Sequence, residues 1–259
     1  MTPLYCLAPM EGVTDTVFRR VVMKAGRPDL MFTEFTSVEG LLSRGYTYVA
    51  DRLVFDASEQ PLIAQIWGTK PEQFFQTAKL LKAKGFAGIN INMGCPVREV
   101  VRLGAGAALI ENPDLAVQII RATREGAGKL PISVKSRLGL HQNNIEKWTR
   151  ILLGEKLETI IIHGRTAKEL SKVPAHWEEI KKAVEIRDAM GVKTLIIGNG
   201  DVESLSDADK KVKKYKVDGV MIGRGVLKNP WVFDRDNKPK SKQNRMALLT
   251  YHMDLFELV

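Results

Sequence analysis

The segment TLIIGNGDVESLSDADKKVKKYKVDGVMIGRG, residues 194–225, contains two short apolar runs, and each ends in a glycine-rich turn. The runs cover residues 194–197 and 219–222 and contain the β-branched residues that are common in strands. Strands that are apolar on both faces belong in a parallel sheet covered by helices. The segment therefore predicts one strand–helix–strand unit.

The same pattern occurs six times earlier in the chain, at residues 4–8, 31–35, 62–66, 88–92, 132–135 and 159–162. From Leu4 to Gly219 the chain advances 215 residues over seven intervals, about 31 per repeat, which is the length of a strand plus a crossover helix. Eight units in a chain of this length favour a closed barrel over an open doubly wound sheet. We therefore predict an α/β fold, a (β/α)8 TIM barrel, over residues 1–235.

The barrel pattern stops near Phe233, and a polar, lysine-rich connector follows to Arg245. Met246–Met253 then has the composition of a helix. Two interpretations remain open for this helix. It caps the barrel, or it is the first element of a truncated helical domain that we place at residues 236–259.

Composition narrows the class of protein. The chain has 259 residues, of which 44% are apolar and 27% charged, and this excludes disordered and fibrous proteins. The sequence lacks both a long apolar run and the features of a signal peptide, so we predict no membrane span. Cys6 and Cys95 are too few for a disulfide framework or a structural zinc site, so we expect no metal and a cytoplasmic location.

The charge balance suggests an anionic partner. Lysine and arginine number 39 against 30 acidic residues, for a formal net charge of +9. Such an excess favours nucleic acid or a phosphorylated cofactor. Plain solubility is the alternative explanation.

Glycine-rich turns follow the last two predicted strands, as GNGD at residues 198–201 and GRG at residues 223–225. Glycines let backbone N–H groups approach a phosphate, and the end of a TIM barrel at strands 7 and 8 is a frequent phosphate site. Arg224 adds a donor for a charge-assisted contact. The alternative is that these glycines only make tight turns.

Two polar side chains interrupt or end apolar strands. Lys135 lies inside a strand, where its charge suits an anion such as a reduced flavin, or a structural ion pair. His163 ends a strand, so we expect it to contact a cofactor or substrate rather than to be a core histidine.

The two cysteines lie in different contexts. Cys6 lies within a strand and has the pattern of a small buried hydrophobic residue. Cys95 lies in a loop between glycine and proline, followed by a glycine-rich segment, 103–108, that predicts a mobile loop. A thiol with a pKa of about 8.5 is protonated at neutral pH and suits a general acid. A nucleophilic thiolate would need a nearby base, which the sequence does not reveal.

Taken in order, these motifs resemble a known family. The motifs are APMEGVTD at 8–15, Gln65 in its strand, NMGCP at 92–96, GAGAA at 104–108, VKSRLG at 134–139, HGRT at 163–166, GNGD at 198–201 and IGRG at 222–225. Over about residues 4–233 the chain resembles the tRNA-dihydrouridine synthases, which are FMN-dependent reductases.

The resemblance implies a role for each motif. Cys95 would be the catalytic acid, and Asn92 would lie beside the flavin and the uracil. Arg137 and Arg165 would contact RNA or the FMN phosphate. The residues implied to hold FMN are Pro9, Met10, Glu11, Gln65, Asn92, Lys135, His163, Asn199, Gly200, Asp201, Gly223 and Arg224.

The implied reaction uses NADPH to reduce FMN. Hydride then passes from flavin N5 to C6 of a uridine extruded from tRNA, and Cys95 protonates C5 to give 5,6-dihydrouridine. Residues 1–235 would be the FMN-binding catalytic barrel of a monomer, and residues 236–259 the linker and first helix of a truncated tRNA-binding domain.

The sequence departs from the family pattern at Asn90, where the family commonly has Asp, and in the short helical segment after the barrel. Two other functions stay open. One is an FMN barrel oxidoreductase that acts on a free pyrimidine-like molecule. The other is a non-catalytic RNA-binding barrel.

Overall fold

One parallel sheet forms the centre of the molecule. The computed structural model describes residues 2–236 and 238–258, so Met1, Asn237 and Val259, which fall within the predicted domain ranges, lie outside the described residues. In the described part of the chain the strands are β1 (Leu4–Leu7), β2 (Met31–Phe32), β3 (Thr36–Ser37), β4 (Leu62–Trp67), β5 (Gly88–Met93), β6 (Ile132–Arg137), β7 (Thr159–His163), β8 (Leu195–Asn199) and β9 (Gly219–Ile222).

The sheet closes on itself. Its strand order is β1-β9-β8-β7-β6-β5-β4-β2, with β3 also paired to β4, and the pairs are parallel. A parallel bridge between Cys6 and Leu30 joins β1 to the residue before β2. Because this bridge joins the two ends of the strand order, the predicted (β/α)8 TIM barrel is confirmed.

Helices cover the outside of the barrel. Over the described residues they are α1 (Thr16–Ala25), α2 (Val38–Leu41), α3 (Tyr46–Val49), α4 (Pro71–Ala83), α5 (Arg98–Arg102), α6 (Pro113–Ala127), α7 (Ile145–Gly154), α8 (Trp177–Ala189), α9 (Leu205–Tyr215), α10 (Gly225–Lys228) and α11 (Lys242–Leu258). Asn112 begins α6 by accepting the Leu115 N–H. None of these helices is long and apolar enough to cross a membrane.

Alternation along the strands divides the core into two layers. On β7, Ile160 and Ile162 join the layer between strands and helices, while Ile161 joins the cluster inside the barrel. That inner cluster also contains Ile197 and Met221 on the two following strands. The inner residues toward the carboxyl ends of the strands are therefore the ones that reach the mouth of the barrel.

The strand predicted at residues 31–35 is shorter than expected. Only Met31–Phe32 pairs with β4 before the chain turns, and pairing resumes at Thr36–Ser37. Between them, Thr33 Oγ1 accepts the Gln65 N–H at 3.0 Å in place of a backbone carbonyl. The Glu34 carboxylate accepts the Gly12 N–H at 2.6 Å, which ties this turn to the loop after β1.

The last helix starts earlier than predicted, at Lys242 rather than Met246. Leu248 and Leu255 pack against α1 at Val17 and Val21. Several apolar side chains of α11 face outward and are exposed: Met246, Leu249, Met253, Phe256 and Leu258.

Candidate functional site

A cavity of about 420 Å³ opens at the carboxyl ends of the strands, where sequence analysis predicts the chemistry. Ten of the predicted residues line it: Pro9, Met10, Lys135, His163, Arg165, Asn199, Gly200, Asp201, Gly223 and Arg224. Sequence analysis missed Glu203 and Lys228, which also line the cavity. Both lie just beyond the two glycine-rich turns, and that proximity is the signal that would have found them.

The lining of the cavity carries excess positive charge. Four side chains are cationic (Lys135, Arg165, Arg224 and Lys228), while Asp201 and Glu203 supply two carboxylates, a difference of two positive charges. Arg165 and Lys228 each have a carboxylate within 2.5 Å. Arg224 lies 3.6 Å from Asp201 and is largely exposed. The cavity therefore suits a dianionic group.

Lys135 is the cation with no carboxylate beside it. Its Nζ donates to Oδ1 of Asn199 at 3.3 Å, and Asn199 in turn donates to the Met221 carbonyl at 2.8 Å. Burial, and then repulsion from Arg137, lower the pKa of Lys135 to about 7. An anion placed against Nζ would raise that pKa again.

His163 is neutral, and its contacts determine the tautomer. Nε2 of His163 lies 3.1 Å from Nη1 of Arg165. A guanidinium only donates hydrogen bonds, so Nε2 accepts and the ring proton lies on Nδ1. Burial, followed by nearby cations including Lys135, lowers the pKa of His163 to about 2. The residue is therefore a neutral hydrogen-bonding group at the cavity wall.

Glycine is sterically required in both predicted phosphate turns. Gly200 has φ +127°, and a Cβ there would lie 2.7 Å from Cβ of Ala175. A Cβ on Gly225 would lie 2.5 Å from the carbonyl oxygen of Val202. Because α10 is only four residues long, the second turn presents its backbone, rather than the end of a long helix, to the cavity.

Asp201 acts as an organising carboxylate in the first of these turns. Its Oδ2 accepts the Ala175 N–H at 2.8 Å and the Arg165 Nη2 donor at 2.5 Å. Burial is the largest single influence and opposes ionisation, but the hydrogen bonds from Arg165 and the Ala175 N–H, together with the charges of Arg165 and Arg224, outweigh it and lower the pKa of Asp201. The ionised side chain thereby fixes Arg165 at the cavity wall.

Five predicted residues, Cys95 among them, do not line the cavity. Cys95 is 8% exposed and packs in an apolar cluster with Val100 and Ala105. Burial is the main cause that raises its thiol pKa, although the Val97 N–H and Arg137 oppose the shift. A raised pKa keeps the thiol protonated, which suits a proton donor better than a nucleophile.

The glycine-rich segment after Cys95 packs closely against it. Residues 106–111 form a 3-10 helix, and Ala105 and Ala107 are fully buried. Ala107 N–H donates to the Cys95 carbonyl at 3.0 Å. The loop predicted to be mobile is thus a packed support for the cysteine.

Gln65 and Asn92 lie in the barrel interior on the side of Cys95. Asn92 Oδ1 accepts the backbone N–H groups of Gly94 and Cys95, at 3.1 and 2.9 Å. Asn92 Nδ2 donates to Oε1 of Gln65 at 3.0 Å. Asn92 therefore holds the turn that carries the thiol.

Arg137 and Glu11 also lie outside the cavity lining. Arg137 is buried, and it donates to the Gly94 carbonyl at 2.8 Å and to the Thr166 carbonyl at 3.1 Å. Glu11 forms a half-exposed ion pair with Arg52 at 2.6 Å. Across the described residues, no three potential ligands gather into a metal site.

Sequence comparison identifies relatives over nearly the whole chain. A profile described as dihydrouridine synthase (Dus) matches residues 6–258. A Staphylococcus aureus (strain COL) protein named "Probable tRNA-dihydrouridine synthase" is 45% identical over 98% of this chain and 77% of its own length. "Probable tRNA-dihydrouridine synthase 2" from Bacillus subtilis (strain 168) is 44% identical over 98% of this chain and 78% of its own length.

Structural comparison adds the fold. The complex of morphinone reductase with tetrahydroNAD superposes with a TM-score of 0.59 at 13% identity, covering 89% of this chain and 85% of that chain. The old yellow enzyme homologue from Zymomonas mobilis gives 0.60 at 13% identity, covering 92% and 90%. At this identity the likeness supports the barrel architecture alone.

Proposed function

The chain belongs to the dihydrouridine synthase family, and from this premise we propose that it reduces uridines in tRNA to 5,6-dihydrouridine as a flavin-dependent oxidoreductase. The observation that carries the proposal is the gathering of ten predicted residues around one cavity at the barrel mouth. The turn that holds Cys95 follows β5, which pairs with the strand of Lys135. The cofactor side and the thiol side therefore belong to adjacent strands.

The flavin we propose is FMN, because the charges of the cavity fit its phosphate. Apart from Lys135, the lining carries three cationic side chains against two carboxylates, and a phosphomonoester carries roughly −1.5 to −2 at neutral pH. The turns at Gly200 and Gly225 bring backbone close to the cavity where no Cβ is tolerated. Arg224 is exposed enough to turn its guanidinium toward a bound phosphate.

The other cavity residues would hold the flavin ring. Lys135 lies where it can offset negative charge on the ring, and its pKa of about 7 lets an anion draw it into the charged form. His163 offers an N–H donor at Nδ1, since Nε2 is occupied by Arg165. Pro9, Met10 and the remaining predicted residues of the lining complete the wall.

When bound, the flavin supplies the hydride for C6 of uracil, with NADPH as the proposed reductant. Cys95 supplies the proton for C5 from its Sγ. Burial raises the pKa of that thiol, so the thiol is protonated at neutral pH and can donate its proton. Asn92 fixes the backbone of the thiol-bearing turn through two N–H groups, so it sets the direction from which the proton arrives.

We propose that Arg137 and Arg165, which are both buried, support RNA binding by holding the loop between β7 and α8. Arg165 also lines the cavity, where it would face the FMN phosphate. Arg137 donates to the Thr166 and Leu170 carbonyls, at 3.1 and 3.2 Å. Arg165 donates to the Val173 carbonyl at 2.6 Å. The loop they hold exposes Lys168 and Lys172, and cationic side chains on an ordered loop are suited to RNA phosphates.

We further propose a cytoplasmic monomer. Both cysteines are free thiols, as a reducing compartment favours. We retain the division into a barrel at residues 1–235 and the beginning of a tRNA-binding helical domain at 236–259. The exposed apolar side chains of α11 support it, since a helical neighbour would cover them.

One experiment tests the function. The purified protein is expected to show flavin absorbance, to sustain NADPH oxidation over many turnovers when unmodified tRNA is added, and to leave dihydrouridine detectable by mass spectrometry of that tRNA. Activity on free uridine without activity on tRNA would instead indicate a small-molecule reductase. A colourless protein that binds tRNA and takes up no FMN would indicate a non-catalytic RNA-binding barrel.

A further inference from the structure

Four buried polar side chains form a continuous chain across the barrel interior from β6 to the thiol-bearing turn. Asn90 Nδ2 donates to Ser133 Oγ at 2.8 Å, and Gln65 Nε2 donates to Asn90 Oδ1 at 2.6 Å. Asn92 Nδ2 then donates to Gln65 Oε1 at 3.0 Å. We call Ser133, Asn90, Gln65 and Asn92 the amide chain; none of the four is more than 9% exposed.

The direction of every hydrogen bond in the amide chain is fixed by the contacts of Asn92, at the end nearest Cys95. The backbone N–H groups of Gly94 and Cys95 only donate, so the atom of Asn92 that faces them is the oxygen. Its nitrogen therefore faces Gln65, which presents an oxygen there and a nitrogen toward Asn90. Reversing one amide would place two donors or two acceptors in contact in a buried interior, where each unmade hydrogen bond is costly.

Asn90 is the link that joins this chain to the barrel wall. It is fully buried, its oxygen accepts from Gln65, and its nitrogen reaches Ser133 on the neighbouring strand. Ser133 Oγ in turn lies 3.4 Å from the Ile89 carbonyl, which can take the hydroxyl proton. Asn90 lines neither the cavity nor the thiol cluster, so its effect on either passes through Gln65 and Asn92.

We propose that Asn90 is a positioning residue for Cys95: by fixing the direction of Gln65 and Asn92, it keeps the thiol-bearing turn folded with its sulfur buried. This rests on the proposed role of Cys95 as proton donor, and it names the residue that maintains that donor. Without the acceptor at Asn90, Gln65 is free to reverse. Asn92 then loses its partner, and the turn at Gly94 and Cys95 loosens.

The test compares two substitutions of Asn90 in the full chain. Asn90→Leu keeps the size of the side chain and removes both hydrogen bonds. Asn90→Asp keeps an acceptor for Gln65 Nε2, and the Ser133 hydroxyl can turn to donate to the second carboxylate oxygen, so the direction of the chain survives. Thr194→Val is the matched control, because it removes one buried hydrogen bond, to the Leu157 carbonyl at 2.7 Å, at the residue before β8.

The readout is the rate of Cys95 alkylation by iodoacetamide as a function of pH, followed by mass spectrometry of the peptide that contains it. We expect Asn90→Leu to react about tenfold faster at neutral pH, with the midpoint of the pH profile moved lower as the thiol loses its burial. Asn90→Asp should react at or below the wild-type rate, because an added carboxylate disfavours the thiolate. Thr194→Val should match the wild type.

Cys6 provides an internal measure of unfolding, because it is fully buried in the same chain. If Asn90→Leu and Thr194→Val react alike, if Asn90→Asp behaves as Asn90→Leu does, or if Cys6 becomes reactive together with Cys95, the positioning role is wrong. Should Asn90→Leu fail to fold, Gln65→Met breaks the same chain one link closer to the thiol and must give the same selective increase.

The alkylation assay needs neither flavin nor tRNA, so it separates the two proposals. Selective exposure of Cys95 in a protein that never reduces tRNA would overturn the proposed function and leave the positioning role intact. If the wild type reduces tRNA but Asn90→Leu has an unchanged alkylation profile, the positioning role of Asn90 is wrong and the proposed function stands.

Discussion

The two sides of the barrel mouth are built by different means. On the side of β8 and β9, glycine backbone and paired charges shape a cavity, as at Gly200 and Gly225. On the side of β4 to β6, the interior is filled with side-chain amides that end at the turn of Cys95. The first side is organised to receive an anionic ligand, and the second to hold one thiol in place.

Because the two sides differ in this way, substitutions on each side should affect different steps. Substitutions in the glycine turns should weaken cofactor binding first, because the backbone N–H groups could no longer approach the phosphate. Damage at the thiol should cost the proton transfer and leave the cofactor bound.

The largest effect is expected from Cys95→Ala. Loss of the proton donor should slow dihydrouridine formation about a thousandfold, within the range for general acid catalysis, while flavin content and its reduction by NADPH persist. Single-turnover mixing of reduced enzyme with tRNA measures the step. If Cys95→Ala loses both flavin and activity, Cys95 has a structural role, and the proposed division of roles between the two sides is wrong.

A smaller effect is expected from Gly225→Ala. The new Cβ would lie 2.5 Å from the Val202 carbonyl, so the turn must shift away from the cavity. Withdrawing a backbone N–H from a charged phosphate costs about 3 kcal/mol, which corresponds to roughly a hundredfold weaker FMN binding. Fluorescence titration of flavin-free protein measures it.

Gly154→Ala is the control for that titration, because a Cβ at Gly154, on the outer helix α7, meets no atom within 4 Å. It should bind FMN as the wild type does. Equal affinity of Gly225→Ala and Gly154→Ala would show that the backbone of the second turn does not approach the ligand.

A still smaller effect should appear in the pH dependence of FMN binding. Free Lys135 has a pKa of about 7, and a bound anion raises it, so binding takes up a proton. Affinity should therefore be level between about pH 6, where the phosphate of FMN becomes dianionic, and about pH 7, and fall by up to about tenfold per pH unit above that, until the pKa of the complex is reached. Isothermal titration at several pH values follows this.

Lys135→Met should bind FMN more weakly than the wild type at neutral pH and should lose that slope. If the slope persists in Lys135→Met, another group titrates, and the lysine does not face the anion.

The barrel and the glycine turns at its mouth could be predicted from the sequence for a physical reason. Strand runs and glycine turns are local signals, so the turns at Gly200 and Gly223 could be predicted without knowledge of any distant partner. The exception is the strand predicted at residues 31–35, where Thr33 replaces a backbone acceptor with its hydroxyl and interrupts the pairing. A side-chain hydroxyl that takes the place of a backbone acceptor does not change the hydrophobic periodicity of the sequence, so it could not be predicted.

The arrangement around Cys95 was harder to predict from the sequence, because its hydrogen bonds join residues on strands far apart in the chain. The resemblance named Gln65 and Asn92 as flavin contacts, but their hydrogen bonds run to each other, to Asn90 and to the turn of Cys95. Alternation within β5 places Asn90 and Asn92 on the same interior face, yet it cannot say which amide atom faces which neighbour. Only the three-dimensional arrangement fixes that direction.

The most direct measurement of the central claim compares FMN with riboflavin on the flavin-free protein. If the glycine turns and Arg224 hold the phosphate, FMN should bind at least about a hundredfold more tightly, since hydrogen bonds to a charged group contribute roughly 1.5–3 kcal/mol each. Arg224→Met should reduce this difference in affinity between FMN and riboflavin. Equal affinity for the two flavins, or binding of neither, would contradict the account.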